Sequence, residues 1–305
     1  MPSSSNVQGA VAILGGLRIS RIFLTEYKEQ FPVIRITTRD LNSAKAQELA
    51  KLGAELHQTS ESFDDVLSGV DVVINTFNTG VILEVEEQLN AAIARANPKV
   101  YFLSDLGVDY RLNEFDGYEH TEWQRKRVIT ADTKAALEGT QTKVIQLVTG
   151  MFHGWLLIPD LGIDIEKNVY TSLGPASNRI ATTAEDDIGR SIAQLAVLSL
   201  DPATASTVPT NLRIAGENVS YEEIRDAVSR VKGVPKGELK SKSLEEFNKN
   251  LKVDTTANAL QYIWVLVGQG KTDFSNENAN ELVNPGQSLW KWKTVEDYLR
   301  GSGSG

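Results

Sequence analysis

Five times in its first hundred or so residues the chain repeats one rhythm: a short β-branched apolar run, a turn, then apolar residues at helical spacing. Ala10 to Leu14 is the first run; it ends at Gly15-Gly16, and Ile19, Ile22, Phe23 and Tyr27 follow on one helical face. Val33 to Thr37 is the second, with Asp40 to Ser43 placed to cap a helix that buries Ala46, Leu49 and Ala50. Ala54 to His57, Asp71 to Phe77 and Lys99 to Leu103 are the remaining three, separated by helical faces carrying Phe63, Val66 and Leu67, then Val85, Leu89, Ala92, Ile93 and Ala96. Parallel strands need a crossover between them, and a helix is the usual one. The predicted fold is therefore α/β: a doubly wound, Rossmann-like parallel sheet with a smaller C-terminal substrate-binding region.

Past Asp109 the rhythm changes. A polar, aromatic-bearing loop from Tyr110 to Glu122 leads into a helix up to Leu137, Lys143 to Thr149 resumes as a sixth strand, and Met151 to Pro159 is an aromatic-rich exit from the sheet. Glu185-Asp186-Asp187 complements a helix N-terminus, and Ser220 with Glu223 forms a capping box for a helix that Gly233 ends. The expected division is a dinucleotide-binding domain over 1–158 and a mainly substrate-binding region over 159–300, with 180–232 packing back on the first domain. Residues 301–305 read as a flexible glycine-serine tail outside the fold.

Composition narrows the function classes. Forty acidic against 31 basic side chains give a formal charge of −9, so no general attraction to nucleic acid or anionic lipid is expected. There is no cysteine, which removes thiolate metal sites and cysteine nucleophiles, and His57, His120 and His153 are too scattered for a helical zinc pair. No apolar stretch approaches the roughly 18 residues of a membrane span, and Met1 to Gly9 carries no basic residue before the first apolar run, so a cytoplasmic protein is expected. The expected partner is a small molecule, with the chain a monomer or homodimer.

Gly15 and Gly16 sit where a dinucleotide fold brings backbone close to a pyrophosphate, but Leu17, Arg18, Ile19 and Ser20 stand where further glycines fall in G-x-G-x-x-G. A tight turn without ligand is the plain alternative. The side chains of Leu17, Arg18 and Ser20 are expected to obstruct the phosphates, with Arg18 and Arg21 able to restore part of the attraction. Arg39 closes the second strand and Lys45 lies in the first turns of the next helix, where an arginine pairs with the 2′-phosphate of NADP and an acid would hold the ribose of NAD. Both are also residues that many proteins simply expose.

Taken together, Ser43-Ala-Lys-Ala-Gln-Glu-Leu49 after Arg39, Asp71-Val-Val-Ile-Asn75, Ser104-Asp-Leu-Gly-Val-Asp109, Lys126 within Glu122-Trp-Gln-Arg-Lys-Arg127, Gly150-Met-Phe152 and Asp186-Asp-Ile-Gly-Arg190 resemble the NmrA-like group of atypical short-chain dehydrogenases, most closely its fungal isoflavone-reductase-like members. Arg213-Ile-Ala-Gly216 before Ser220-Tyr-Glu-Glu223 continues the likeness. The resemblance implies NADPH as cofactor, held by Gly15, Gly16, Arg39 and Lys45, with Ser104 beside the nicotinamide and Lys126 in catalysis. Arg18 and the residues that close the fourth strand, Asn75, Thr76 and Phe77, are counted with the cofactor site. The chain departs from the family in a shortened glycine turn and in Asp105-Leu106, which stand where Glu-Phe is usual.

The ordinary short-chain dehydrogenase pair, Tyr-x-x-x-Lys, is absent: none of the eight tyrosines has a lysine four residues on. Lys126 can instead polarise a carbonyl or enone and offer it a proton, although it also belongs to the basic run Arg125-Lys126-Arg127. His153, between Phe152 and Trp155, is the second catalytic candidate, against the commoner reading of a packed histidine. Tyr110, Tyr118, Phe152 and Trp155 are candidates for a substrate pocket, though aromatics at strand ends are more often core. The expected function is an NADPH-dependent reductase of a small, aromatic or polyketide-like carbonyl or conjugated alkene. An NADP-binding regulatory sensor without turnover and a cofactor-independent isomerase, lyase or cyclase are the alternatives.

Overall fold

The computed structural model describes residues 7–78 and 80–301, and within them the chain divides into two compact units that interleave along the sequence. The first holds the chain up to Leu106, then Arg125–Leu147 and Ile188–Leu212; the second holds Gly107–Gln124, Val148–Asp187 and the chain from Arg213 on. The departure expected at residue 158 thus comes at Leu147. Of the segment 180–232 expected to rejoin the first unit, only Ile188–Leu212 does so. The tail over 301–305 lies outside the described residues from 302 onward.

Six strands of the first unit match the predicted runs: β1 (Ala10–Leu14), β2 (Val33–Thr38), β3 (Glu55–Gln58), β4 (Val72–Asn75), β5 (Val100–Phe102) and β6 (Lys143–Val148). They lie in the order β3-β2-β1-β4-β5-β6 with every pairing among them parallel, and Asn211–Arg213 adds a further strand beside β6. Central strands of such a sheet are covered on both faces, so they read as unbroken apolar runs rather than alternations. Val11–Leu14 and Val72–Asn75 are buried at every position, whereas the edge strand β3 is partly exposed along its length.

Helices α1 (Leu17–Glu26), α2 (Ala44–Lys51), α3 (Phe63–Leu67), α4 (Leu83–Ala96) and α5 (Thr121–Ala136) follow the first five strands. Ser43 caps α2 as its position predicts, its hydroxyl accepting from the Ala46 N–H at 3.3 Å. On one face of the sheet Leu14, Val73 and Tyr101 pack with Val66, Leu89 and Ile93 from α3 and α4. Strand order reverses between β1 and β4. The crevice beyond their carboxyl ends is where open α/β sheets bind ligands.

The second unit carries two three-stranded sheets and an apolar core in which Tyr170, Tyr221, Tyr262 and Trp264 are buried. The buried Tyr221 hydroxyl donates to the Leu161 carbonyl at 2.7 Å and accepts from the Trp264 indole at 2.9 Å, so the ring's one polar atom is satisfied inside apolar packing. Ser220 and Glu223 form the expected capping box at the start of Tyr221–Lys232. Among the described residues, no helix is long and apolar enough to cross a membrane.

Candidate functional site

Only Gly15 and Gly16 separate the end of β1 from the start of α1. Gly15 has φ +95°, a conformation that side-chain-bearing residues rarely take, so the sharp turn requires glycine there. Both backbone N–H groups of the turn are already bonded: that of Gly15 donates to Thr37 Oγ1 at 3.0 Å, and that of Gly16 to Thr76 Oγ1 at 2.5 Å. The Thr76 hydroxyl in turn donates to the Leu14 carbonyl at 2.8 Å. Ser20 is buried and donates to the Gly16 carbonyl at 2.9 Å, so it reinforces the turn from inside α1 rather than projecting into the crevice. Arg18 is exposed on the first turn of α1.

Beside this turn opens a cavity of about 790 Å³, lined by Gly15 and Gly16, by Thr37, Thr38, Arg39, Asp40 and Ser43 from β2 and the turn after it, and by Phe63, Thr76, Phe77, Val81, Ile82 and Val85. Arg39 is exposed and makes no ion pair with any described residue. The neighbouring Asp40 carboxylate is engaged, accepting the Asn42 N–H at 2.9 Å. The cavity therefore carries a guanidinium held in no ion pair, with the Asp40 carboxylate beside it, and apolar side chains from Phe63, Phe77, Val81, Ile82 and Val85. Lys45 is exposed on α2 and stands off the lining.

A second, smaller cavity of about 30 Å³ has room for a water or two, and Phe77 and Asn78 line both. Around it stand Lys126, Ser104, Asp105, Glu86 and Asn75. Lys126 Nζ donates to the Ser104 carbonyl at 3.4 Å and lies 3.7 Å from Asp105 Oδ1. Asp105 is 4% exposed, and its other oxygen accepts from Gln146 Nε2 at 2.6 Å. Asn75 donates to Tyr101 Oη at 3.0 Å and to Glu86 Oε2 at 3.3 Å, and it accepts the Phe77 N–H at 2.9 Å. Burial pushes the Glu86 carboxyl above its usual range, against the opposing effects of the Asn75 hydrogen bond and the Arg125 charge. The Ser104 hydroxyl is committed to the Phe77 carbonyl at 2.6 Å. The Lys126 ammonium, a fifth exposed, is thus backed by a buried carboxylate.

The profile of the NmrA-like family matches residues 10–299, nearly the whole chain. The chain belongs to the NmrA-like family. Among solved structures, an isoflavone reductase superposes with a TM-score of 0.71 at 19% identity, over 97% of this chain and 100% of that one. A leucoanthocyanidin reductase from Vitis vinifera in binary complex with NADPH gives 0.71 at 13% identity over 95% and 98%, and a variant of NmrA gives 0.65 at 14% over 96% and 94%. No curated protein matches by sequence.

In this NmrA-like chain the other predicted residues belong to the second unit. His153 is 2% exposed, with both ring nitrogens buried and unpartnered and its ring edge-on to Tyr298 at 5.7 Å. Burial, helped by the Lys293 charge and opposed by Asp297, pulls its pKa down to about 4, which describes a neutral packed ring and not a general acid at neutral pH. Tyr110 is 3% exposed and is part of the core. Tyr118 packs edge-on against Phe115 and donates to Asn248 Oδ1 at 3.1 Å, so both aromatics serve packing, the reason such residues gather beside strand ends. Phe152 is half-buried on a short strand, and Trp155 is 59% exposed. Sequence reading passed over Thr37, Glu86 and Gln146. Glu86 carried a signal, since it lies between Val85 and the buried Leu89 on α4.

Proposed function

We propose that this NmrA-like chain is an NADPH-dependent reductase of a small, aromatic or polyketide-like carbonyl or conjugated alkene. The supporting observation is the juxtaposition, within one unit, of an unpaired arginine on a large cavity with a carboxylate-backed lysine on a smaller one that shares two lining residues with it. Arg39 would hold the 2′-phosphate, and Thr38, Ser43, Phe63, Val81, Ile82 and Val85 would enclose the adenosine. Arginine's planar guanidinium suits a phosphate, and Arg39 is drawn into no ion pair with the neighbouring Asp40. Bound NADPH supplies a hydride.

The chain's own part is proton management. Lys126 presents an ammonium that can hydrogen-bond a carbonyl oxygen and give up a proton as negative charge develops there. Asp105, pinned by Gln146, fixes that ammonium's position and stabilises its charge while the substrate approaches. The occupied N–H groups of the glycine turn favour a second reading, a protein that binds NADP(H) without turning it over. Fluorescence titration with NADPH and NADH, followed by NADPH consumption across carbonyl and enone substrates, separates the two. NADPH preference with consumption supports the reductase, preference without consumption supports the sensor, and no binding by folded protein overturns both.

A further inference from the structure

The turn between β1 and α1 bears on how a dinucleotide is gripped. A pyrophosphate cradle works by leaving several backbone N–H groups unbonded and convergent, so that an anion can satisfy them. Here the loop is two residues long, and both of its N–H groups are spent on threonine hydroxyls from the ends of two neighbouring strands. Thr76 is held at two points, accepting from Gly16 and donating to Leu14, so it cannot swing aside without breaking both bonds. Thr76 also packs closely on the turn. A Cβ built on Gly15 or Gly16 would meet Thr76 Oγ1 at 3.0 and 2.9 Å.

We propose that Thr37 and Thr76 lock this turn against phosphate, so that the chain takes its nucleotide through the 2′-phosphoadenosine half and draws little affinity from the pyrophosphate and nicotinamide. This rests on the NADP(H) reading given above and refines it. The ligand class is an adenosine bearing a 2′-phosphate, recognised by Arg39 on one wall and the apolar Phe63, Val81 and Ile82 on the other. A 5′-phosphate gains nothing from Gly15 and Gly16, because both of those donors already have partners. Neutral hydroxyl contacts are individually weaker than charge-assisted ones, but a phosphate has to displace one of them for each of the two glycine N–H groups it would use.

The test is a calorimetric series on the intact wild-type protein with adenosine 2′-monophosphate, adenosine 2′,5′-bisphosphate and NADPH. Dissociation constants within about threefold of one another are expected, since the three ligands share the half that is gripped. NADPH binding tenfold or more tighter than adenosine 2′-monophosphate overturns the lock while leaving the NADP(H) reading in place; binding of none of the three overturns that reading instead. Thr76→Val, which removes the hydroxyl but keeps the branched shape, is expected to tighten NADPH at least fivefold and leave adenosine 2′-monophosphate unchanged. Thr76→Ser keeps the hydroxyl and is expected to behave as wild type. If Thr76→Val folds and leaves the NADPH constant unmoved, the threonine is not what closes the turn.

Discussion

Replacing Arg39 by aspartate is expected to separate NADPH from NADH. Arg39 is exposed and makes no ion pair with any described residue, so its removal breaks no internal bond and the fold should keep its wild-type melting temperature. A charge-assisted contact to phosphate is worth about 1.5–3 kcal/mol, which at roughly 1.4 kcal/mol per factor of ten is about a 10- to 150-fold loss. Exposure to solvent favours the lower half of that range. The introduced carboxylate adds repulsion of about 1 kcal/mol for unit charges about 4 Å apart in water, a further factor of about five. NADPH should therefore weaken by about 50-fold or more, while NADH, which lacks the 2′-phosphate, should change by less than about threefold. Fluorescence titration of both cofactors at low ionic strength reads the difference, and raising the salt should shrink it as the Debye length falls below about 10 Å. Equal weakening of both would show that Arg39 does not meet the 2′-phosphate.

Lys126→Ala should leave NADPH affinity near wild type and cut turnover about 100-fold on any carbonyl or enone that the wild type reduces; unchanged turnover would return Lys126 to a structural part. Asp105→Asn removes the charge behind that ammonium while keeping an oxygen for Gln146, so turnover should fall about tenfold with NADPH affinity intact, and a matching loss of affinity would point to a collapsed site. His153 is buried with a pKa of about 4 against an ordinary value of 6.5, so the unfolded chain binds the extra proton first and stability is lost as pH falls from about 6.5 to 4, by about 3 kcal/mol. His153→Phe should abolish that part of the acid loss in thermal unfolding at pH 7 and pH 5, and an unaltered pH dependence would contradict it. Burial pushes the Asp109 carboxyl up, but hydrogen bonds and charge from Arg111 and Arg213 outweigh it and hold it below its usual value, so its contribution is complete above about pH 4 and is lost as pH falls through the folded pKa. Asp109→Asn leaves two guanidinium groups without their shared carboxylate and should cost about 3 kcal/mol at pH 7 in denaturant unfolding; a loss under 1 kcal/mol would mean Glu277 and solvent already satisfy them.

How much of this is legible in the sequence depends on whether a residue's partner is local. The bounds of β1 were readable because a strand covered on both faces leaves an uninterrupted apolar run, and the caps at Ser43 and Ser220 were readable because a cap and its N–H lie three residues apart. The division into units was not, because α5 begins in one unit and continues in the other, and a helix's periodicity does not say which core each turn faces. Tyr110 and Tyr118 looked like pocket residues for the same reason: an aromatic beside a strand end has one appearance in sequence whether it faces a ligand or Phe115. Sequence placed Lys126 on the helix that carries it and read Arg39 as closing β2, which ends one residue earlier at Thr38, but it gave no sign of the Gln146 that pins Asp105, which arrives from β6 far along the chain.

The glycine turn shows where that limit matters for function. Sequence reasoning located the obstruction in the side chains of Leu17, Arg18 and Ser20, the residues standing in for glycines. In the structure Ser20 turns inward, and the donors are taken from behind by Thr37 and Thr76, two unremarkable hydroxyls at strand ends. Their effect exists only because a parallel sheet brings the carboxyl ends of β2, β1 and β4 side by side, 22 residues apart in one bond and 60 in the other. An arginine kept clear of ion pairs and a turn with no free N–H group make opposite demands of a dinucleotide. Both are met by a ligand held at its 2′-phosphate end, so the affinity of this site should follow the 2′-phosphate far more closely than it follows the pyrophosphate.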